Sequence, residues 1–283
     1  MPDTTPAIER PRLCRLALQV DTDALRAVVW STVEDSSMVT FSLPLDPTLP
    51  GHKALEEAVY AAPVLLSDFA GVDVLVRTNA YTVLPAGYSD DAFRTAADYC
   101  RLTVSDDAPS ADDTELRRDT VDALGIDLAW TLPAHTARFL ARTFRNPAVH
   151  SHIAPLMRYF GRKSILGNSG KVYAHFSGQG ASASTDVIAF GTDGRLACAF
   201  THPTPSPSDA LYYIMAAMKH AGLDPETDEV LLCGDASARD TMMPLLRRYA
   251  AYVMPVIFPS AALRAGREAF NAPFPLVILP LCE

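Results

Sequence analysis

Residues 228–240, DEVLLCGDASARD, set a short apolar run directly before Gly234-Asp235 and a stretch of helical character. A strand that ends in glycine and passes into a helix gathers backbone N–H groups able to face an anion or a ribose. The same corner also has a purely structural reading, in which Gly234 makes a sharp turn and Asp235 caps the following helix. Other stretches offer different chemistry. Gly178-Gln179-Gly180-Ala181-Ser182-Ala183 imitates a dinucleotide fingerprint, which requires a helix immediately after it to receive the pyrophosphate. His150 and His152 could ligate a metal from one face of an extended segment, but no Cys, Asp or Glu lies at zinc spacing around them. They read as a solvated or capped pair. Ser177, Ser182 and Ser184 have no His–Asp arrangement that the sequence justifies, so nucleophilic catalysis is not assigned.

The elements that would position these residues follow a repeated order. LCRLALQV (13–20), LRAVVWSTV (25–33) and MVTFSL (38–43) read as three strands joined by Asp- and Ser-rich turns. PLDPTLPG then leads to an amphipathic helix at about 51–66 and to GVDVLVRT (71–78), suited to a buried parallel strand. KVYAHFS (171–177), STDVIAFG (184–191), RLACAFT (195–201), a Pro-rich link, a helix at 209–222 and DEVLLCGD repeat that order about 158 residues later. Because a strand follows GQGASA, the dinucleotide fingerprint is rejected. A twofold β-β-β-α-β repeat predicts an α/β protein. Its fold is the duplicated ribonuclease-H-like one of actin-like ATPases, with two mixed sheets facing a cleft. The expected domains are residues 12–162 and 163–283, with 90–165 (helix, acidic loop, strand, helix) completing the first.

DVLVRTNAYTVLPAGY (73–88), PSDALYYIM (207–215), EVLLCGD (229–235) and the terminal LPLCE together resemble the bacterial family called domain of unknown function 3822, over nearly the whole chain. The resemblance implies an actin-like ATPase fold and supplies no catalytic residues. In working members of that superfamily, an adenosine-side turn and two phosphate hairpins converge on Mg²⁺-ATP. Here the adenosine corner is Leu231-Leu232-Cys233-Gly234, followed by Asp235, whose carboxylate repels phosphate. The first hairpin, Asp21-Thr22-Asp23-Ala24, keeps acids and lacks glycine. The second, His175-Phe176-Ser177-Gly178-Gln179-Gly180, keeps glycines and lacks the acid. The candidate ligand-binding residues are therefore Asp21, Asp23, Ser177, Gly178, Gly180, Gly234 and Asp235, with Asp186 or Asp209 as replacement acids.

Composition narrows the function classes. Net charge is −9 and no basic stripe carries interleaved aromatics, so nucleic-acid binding is not expected. The N-terminal MPDTTPAIERPRL has no apolar core of a secretory signal, and the C-terminal FPLVILPLC is too short to span a bilayer. Five scattered cysteines suggest neither disulfide framework nor zinc site, and fit the cytoplasm. Asp106, Asp107, Asp112, Asp113 and Glu115 read as a solvated acidic linker, and Tyr212-Tyr213 as core packing or a partner surface. The expected function is a non-catalytic binding or scaffold module with a protein partner and no cofactor. The alternatives are weak ATP/Mg²⁺ binding or hydrolysis in a rebuilt cleft, and behind it a small-metabolite kinase.

Overall fold

Apolar runs separated by Asp, Ser and Pro turns fold as strands because alternate side chains reach opposite sheet faces. In the computed structural model, which describes residues 6–35, 37–88, 90–95, 113–263 and 266–281, Cys14–Val20 (β1), Ala24–Ser31 (β2) and Val39–Pro44 (β3) form an antiparallel meander. Helix α1 (Gly51–Ala61) leads to Gly71–Val76 (β4), which joins β1 in parallel. The single helix expected at 51–66 is divided: Pro63 has no N–H to continue it, and Pro63–Leu66 form a 3₁₀ turn instead.

The middle of the chain departs from expectation. Tyr81–Pro85 (β5), Thr114–Val121 (β6) and Ile126–Pro133 (β7) build a separate three-stranded antiparallel sheet in the order β5-β7-β6. Of these only β7 was legible, because β6 (TELRRDTV) is too charged to show an apolar alternation. Tertiary contacts hold it instead. Arg118 lies 4.0 Å from the centre of the Phe93 ring, and buried Asp119 accepts from the N–H of Ser151 at 2.8 Å and from its hydroxyl at 2.9 Å. Glu115, expected in a linker, lies in β6 and pairs with Arg117. Residues 90–95 are helical, whereas the rest of the expected helix and Asp106, Asp107 and Asp112 lie outside the described residues. Helix α2 (Ala134–Thr143), the short strand Ala148–Ser151 (β8), parallel to β4, and helix α3 (Ile153–Ser164) complete this half.

The second half repeats the first. Lys171–Ser177 (β9), Ser184–Phe190 (β10), Leu196–Pro203 (β11), helix α4 (Pro207–His220), Glu229–Gly234 (β12), helix α5 (Ala236–Leu246) and Tyr252–Pro255 (β13) follow in order. The two large sheets read β3-β2-β1-β4-β8 and β11-β10-β9-β12-β13, strand for strand the same topology. Corresponding elements from β1/β9 to β4/β12 begin 156 to 160 residues apart, which bears out the internal duplication.

Each half also covers the other. Tyr173, Ile188 and Phe190 of the second sheet share a core with Phe160 of α3, and the Phe160 and Tyr173 rings stack at 4.1 Å. In return, the chain after β13 crosses to the first sheet, where Ala269, Leu276 and Leu279 pack on Ala17, Val28 and Leu75. Burial of each of the leucine, isoleucine, valine and phenylalanine side chains among these is worth about 1.5–3 kcal/mol, so the exchange fixes the halves against one another. Among the described residues, no helix is long and apolar enough to cross a membrane.

Candidate functional site

Because both central strands run toward the junction, β1 and β9 deliver their C-terminal turns to one cleft. Its volume is about 740 Å³, and Asp21, Ser177, Gly178, Gly234 and Asp235 all border it. Five of the seven candidate residues thus converge. The other two do not. Asp23 borders a separate groove of about 530 Å³ beside Arg77, and Gly180 borders a pocket of about 320 Å³ between the second hairpin and the starts of α4 and α5.

The acidic hairpin is already occupied by its own side chains. Asp21 accepts from Gln19 Nε2 at 2.9 Å and from Arg26 Nη1, and Asp23 accepts from Arg26 at 3.4 Å. Burial would lower the Arg26 pKa, but Asp21 and Asp23 outweigh it and raise it further, so the guanidinium stays charged. The carboxylate a divalent cation would need is neutralised by a fixed cation. Neither replacement acid is free. Asp209 closes a capping box with Ser206, whose hydroxyl reaches it at 2.7 Å. Among the described residues, no group of three or more His, Cys, Asp or Glu side chains could hold a metal ion.

The glycine turns have backbone reasons. Gly178 has φ +71°, and a Cβ there would lie 2.2 Å from the Ser182 carbonyl oxygen. Gly234 has φ +89°, with a hypothetical Cβ 2.1 Å from the Phe176 carbonyl oxygen. That carbonyl accepts from the Asp235 N–H at 2.9 Å, so β9 and the corner are locked together. Asp235 Oδ1 accepts from the Ala238 N–H at 2.8 Å and caps α5. The capping role expected of Asp235 is therefore present. The chain after Gly180 makes a 3₁₀ turn and then β10, with no helix for a pyrophosphate.

The most concentrated polar chemistry lies beneath the cleft, at Asp186. Its carboxylate is fully buried, yet it accepts from His152 Nε2 at 2.9 Å, His175 Nδ1 at 2.7 Å, Thr201 Oγ1 at 2.8 Å and Arg77 Nη2 at 3.2 Å. Burial pushes the Asp186 carboxyl upward, but Arg77, His152 and the imidazole hydrogen bonds hold it well below the usual carboxylate range. Burial lowers the His152 pKa against the pull of Asp186. Arg77 and His152 follow β4 and β8, whereas Asp186, His175 and Thr201 belong to the second sheet. The cluster therefore ties the halves together, and Asp186 is not available as a metal ligand. His152, expected to be solvated or capped, is completely buried here. His150 instead meets Asp119, with Nδ1 2.6 Å from Oδ1. The available signal was Asp186 directly before the apolar run Val187-Ile188-Ala189-Phe190, and it lies opposite His175 in the β9–β10 register.

Tyr212 is 68% exposed, whereas half-buried Tyr213 stacks on His202 of β11 at 4.2 Å, so one of the pair packs helix on sheet and the other lies on the surface. Cys14, Cys198 and Cys233 are free thiols, and Cys100 and Cys282 lie outside the described residues.

Comparison with known proteins is consistent with this architecture. A family model described as protein of unknown function (DUF3822) matches residues 3–253. The chain belongs to this family. A Bacteroides thetaiotaomicron protein with actin-like ATPase fold and unknown function superposes with a TM-score of 0.77 at 18% identity, over 96% of this chain and 99% of that one. The chain thus has the actin-like ATPase fold. A PilM–PilN type IV pilus biogenesis complex is a weaker structural likeness, with a TM-score of 0.49, 15% identity and coverage of 96% and 98%. No curated protein matches in sequence.

Proposed function

We propose that this DUF3822 member is a non-catalytic binding module, an actin-like fold that acts through its cleft and surfaces without hydrolysing ATP. Its two domains are residues 12–162 and 163–283, it has a protein partner, it needs no resident cofactor, and it works in the cytoplasm. The observation that carries the reading is Asp21, whose carboxylate is held by Arg26 and Gln19 in a hairpin without glycine. Phosphoryl transfer depends on metal and backbone donors meeting the transferring group. Asp235 adds a carboxylate at the opposite corner, and its use as a helix cap gives it a role that folding alone requires.

One observation favours a second reading, a weak nucleotide binder. Gly178 and Gly234, both at positive φ, border the same cleft as Asp21. Purified protein with Mg²⁺-ATP separates the two. The binding-module reading expects no turnover above a blank and no change in melting temperature. Turnover abolished by Asp21→Ala overturns it. A ligand at a hundredfold its Kd stabilises by about 2.7 kcal/mol, which a melting curve resolves.

A further inference from the structure

The edge strands of the two large sheets are β3, β8, β11 and β13, and the first, second and last of these are blocked. At β8 the Ser151 N–H donates to Asp119 of β6 at 2.8 Å. At β13 Pro255 has no N–H to offer, and the Val253 carbonyl accepts from Arg247 Nη2 at 3.2 Å. Strand β3 is flanked by the 3₁₀ turn Arg267–Phe270 of the returning chain. Strand β11 differs. Among the described residues it pairs with β10 alone. Its sequence, LACAFTHP, carries no Asp, Glu, Lys or Arg and has proline only at the last position. Edge strands are ordinarily blunted by charge, proline or cover, because an open row of N–H and C=O groups invites another strand. The Thr204 N–H bonds to the Ala183 carbonyl, and the alternation carried along the register from that pair turns the Ala199 N–H and C=O away from β10.

The helix beside this edge is complementary to itself. Strands β11 and β12 both run parallel to β9, so α4, which connects them, returns antiparallel to β11. Asp209, Tyr213, Ala216 and His220 fall on one stripe of α4, at helical spacing. The stripe lies on the β11 side, because Tyr213 stacks on His202 at 4.2 Å and meets Phe200 edge-on at 6.1 Å. A two-fold axis near Phe200, perpendicular to the sheet, lays a second β11 antiparallel along the open edge and a second α4 antiparallel beside the first. Asp209 in the acidic first turn then faces His220 in the basic last turn of the second copy, and Tyr213 faces its Ala216. Acid meets base and a large side chain meets a small one, with the helix dipoles opposed. Helix α4 packs over β9, β10 and β11, so the two helices stand about three strand spacings apart, roughly 14 Å. Direct helix packing needs about 8–10 Å, and the half-buried Tyr213 and exposed Tyr212 supply the bulk that fills the difference.

We propose that β11 is a homodimer edge: a second copy of this chain adds its β11 antiparallel to it and joins the two second-half sheets into one, with the α4 stripes packed against each other. The occupant is a second copy because the edge and the stripe each complement themselves about the same axis. The cleft takes no part, so the dimer stands whether or not the binding-module reading does.

The test is sedimentation of the full chain up to about 100 µM, with hydrogen exchange at the Ala199 amide followed by NMR over the same range. A monomer–dimer equilibrium is expected, in which Ala199 exchange slows as the dimer fills. Ala199→Pro removes an outward N–H that bonds to nothing among the described residues, and edge positions of this kind accept proline. Ala197→Lys places a charge on the exposed edge and leaves the core untouched. Each should raise the dimer dissociation constant at least about tenfold, with Ala197→Lys melting as the parent monomer does. A monomer with a protected Ala199 amide would mean that the chain covers its own edge. A monomer with an unprotected one would leave the edge to another protein. Either overturns the proposal, as does a dimer that neither variant weakens.

Discussion

His175 Nδ1 lies 2.7 Å from Asp186 Oδ2, and the two residues are direct cross-strand partners on β9 and β10. The other carboxylate oxygen takes His152 from the first half at 2.9 Å. One buried aspartate thus receives an imidazole from each half of a duplicated chain, and Arg77 supplies the opposite charge. An ion pair made in the interior stabilises little relative to an apolar pair, but removing one member leaves a stranded charge.

Asp186→Ala should therefore be severe. Both histidines lose this acceptor and Arg77, which keeps Ser184 Oγ, loses its counter-charge, and breaking a buried pair in this way costs about 3–5 kcal/mol. Thr201→Val, which removes two neutral hydrogen bonds, one to Asp186 and one with the Tyr81 hydroxyl, should cost only about 1–3 kcal/mol. Urea unfolding of both variants measures the gap. Equal losses would mean that the charge is not what holds this junction.

Acid should weaken the fold, for a reason located at His152. Its folded-state pKa is lowered, chiefly by burial, so the unfolded chain binds its proton more readily than the folded one. The contribution is fully present above the unfolded value of about 6.5 and is lost as pH falls through it. Asp186, also depressed, adds loss in the same direction only below about pH 4. Unfolding midpoints should fall between about pH 8 and pH 5, by at most about 1.4 kcal/mol per pH unit for one proton. His152→Gln should flatten the profile across that window. An unchanged slope in that variant would assign the acid sensitivity elsewhere.

The cap at α5 gives a smaller effect. Asp235→Ala removes the acceptor for the Ala238 N–H and should cost about 1 kcal/mol, while Asp235→Asn should retain most of that stability. Thermal unfolding of the pair checks the order. If the asparagine variant is as unstable as the alanine one, the carboxylate contributes through charge and not through capping.

How far the sequence revealed all this depends on whether a feature is local. The repeated strands were legible because their apolar alternation and turn residues lie within each segment, and the offset between Phe41-Ser42-Leu43-Pro44 and Phe200-Thr201-His202-Pro203 is visible in one dimension. Strand β6 was not, because its stabilising partners Phe93 and Ser151 lie far from it in sequence. The convergence of Asp21 with Gly234 followed from the duplication. The saturation of Asp21 by Arg26 did not, since a residue five positions along a strand faces the turn only once β1 and β2 are paired. The Asp186 cluster draws its members from both halves, so no local pattern could assemble it.

Two glycines separate conformational strain from collision. Gly222 follows α4 with φ +66°, and a Cβ there meets nothing within 4 Å. Gly222→Ala therefore carries only the cost of a left-handed backbone for an L-residue, about 1 kcal/mol. Gly234 has the same kind of backbone, at φ +89°, but its added Cβ would lie 2.1 Å from the Phe176 carbonyl oxygen and 2.8 Å from the Phe176 nitrogen. Those are backbone atoms of the neighbouring strand and cannot swing aside as a side chain would. Relief requires β9 and β12 to separate at the point where the Asp235 N–H is bonded to the same carbonyl. Gly234→Ala should then exceed Gly222→Ala by about 1–3 kcal/mol, the scale of one strained backbone site. Amide exchange at Asp235 should also speed up in that variant alone. Equal destabilisation of the two variants, with Asp235 exchange unchanged, would show that the corner has room for a side chain and that Gly234 is only a turn residue.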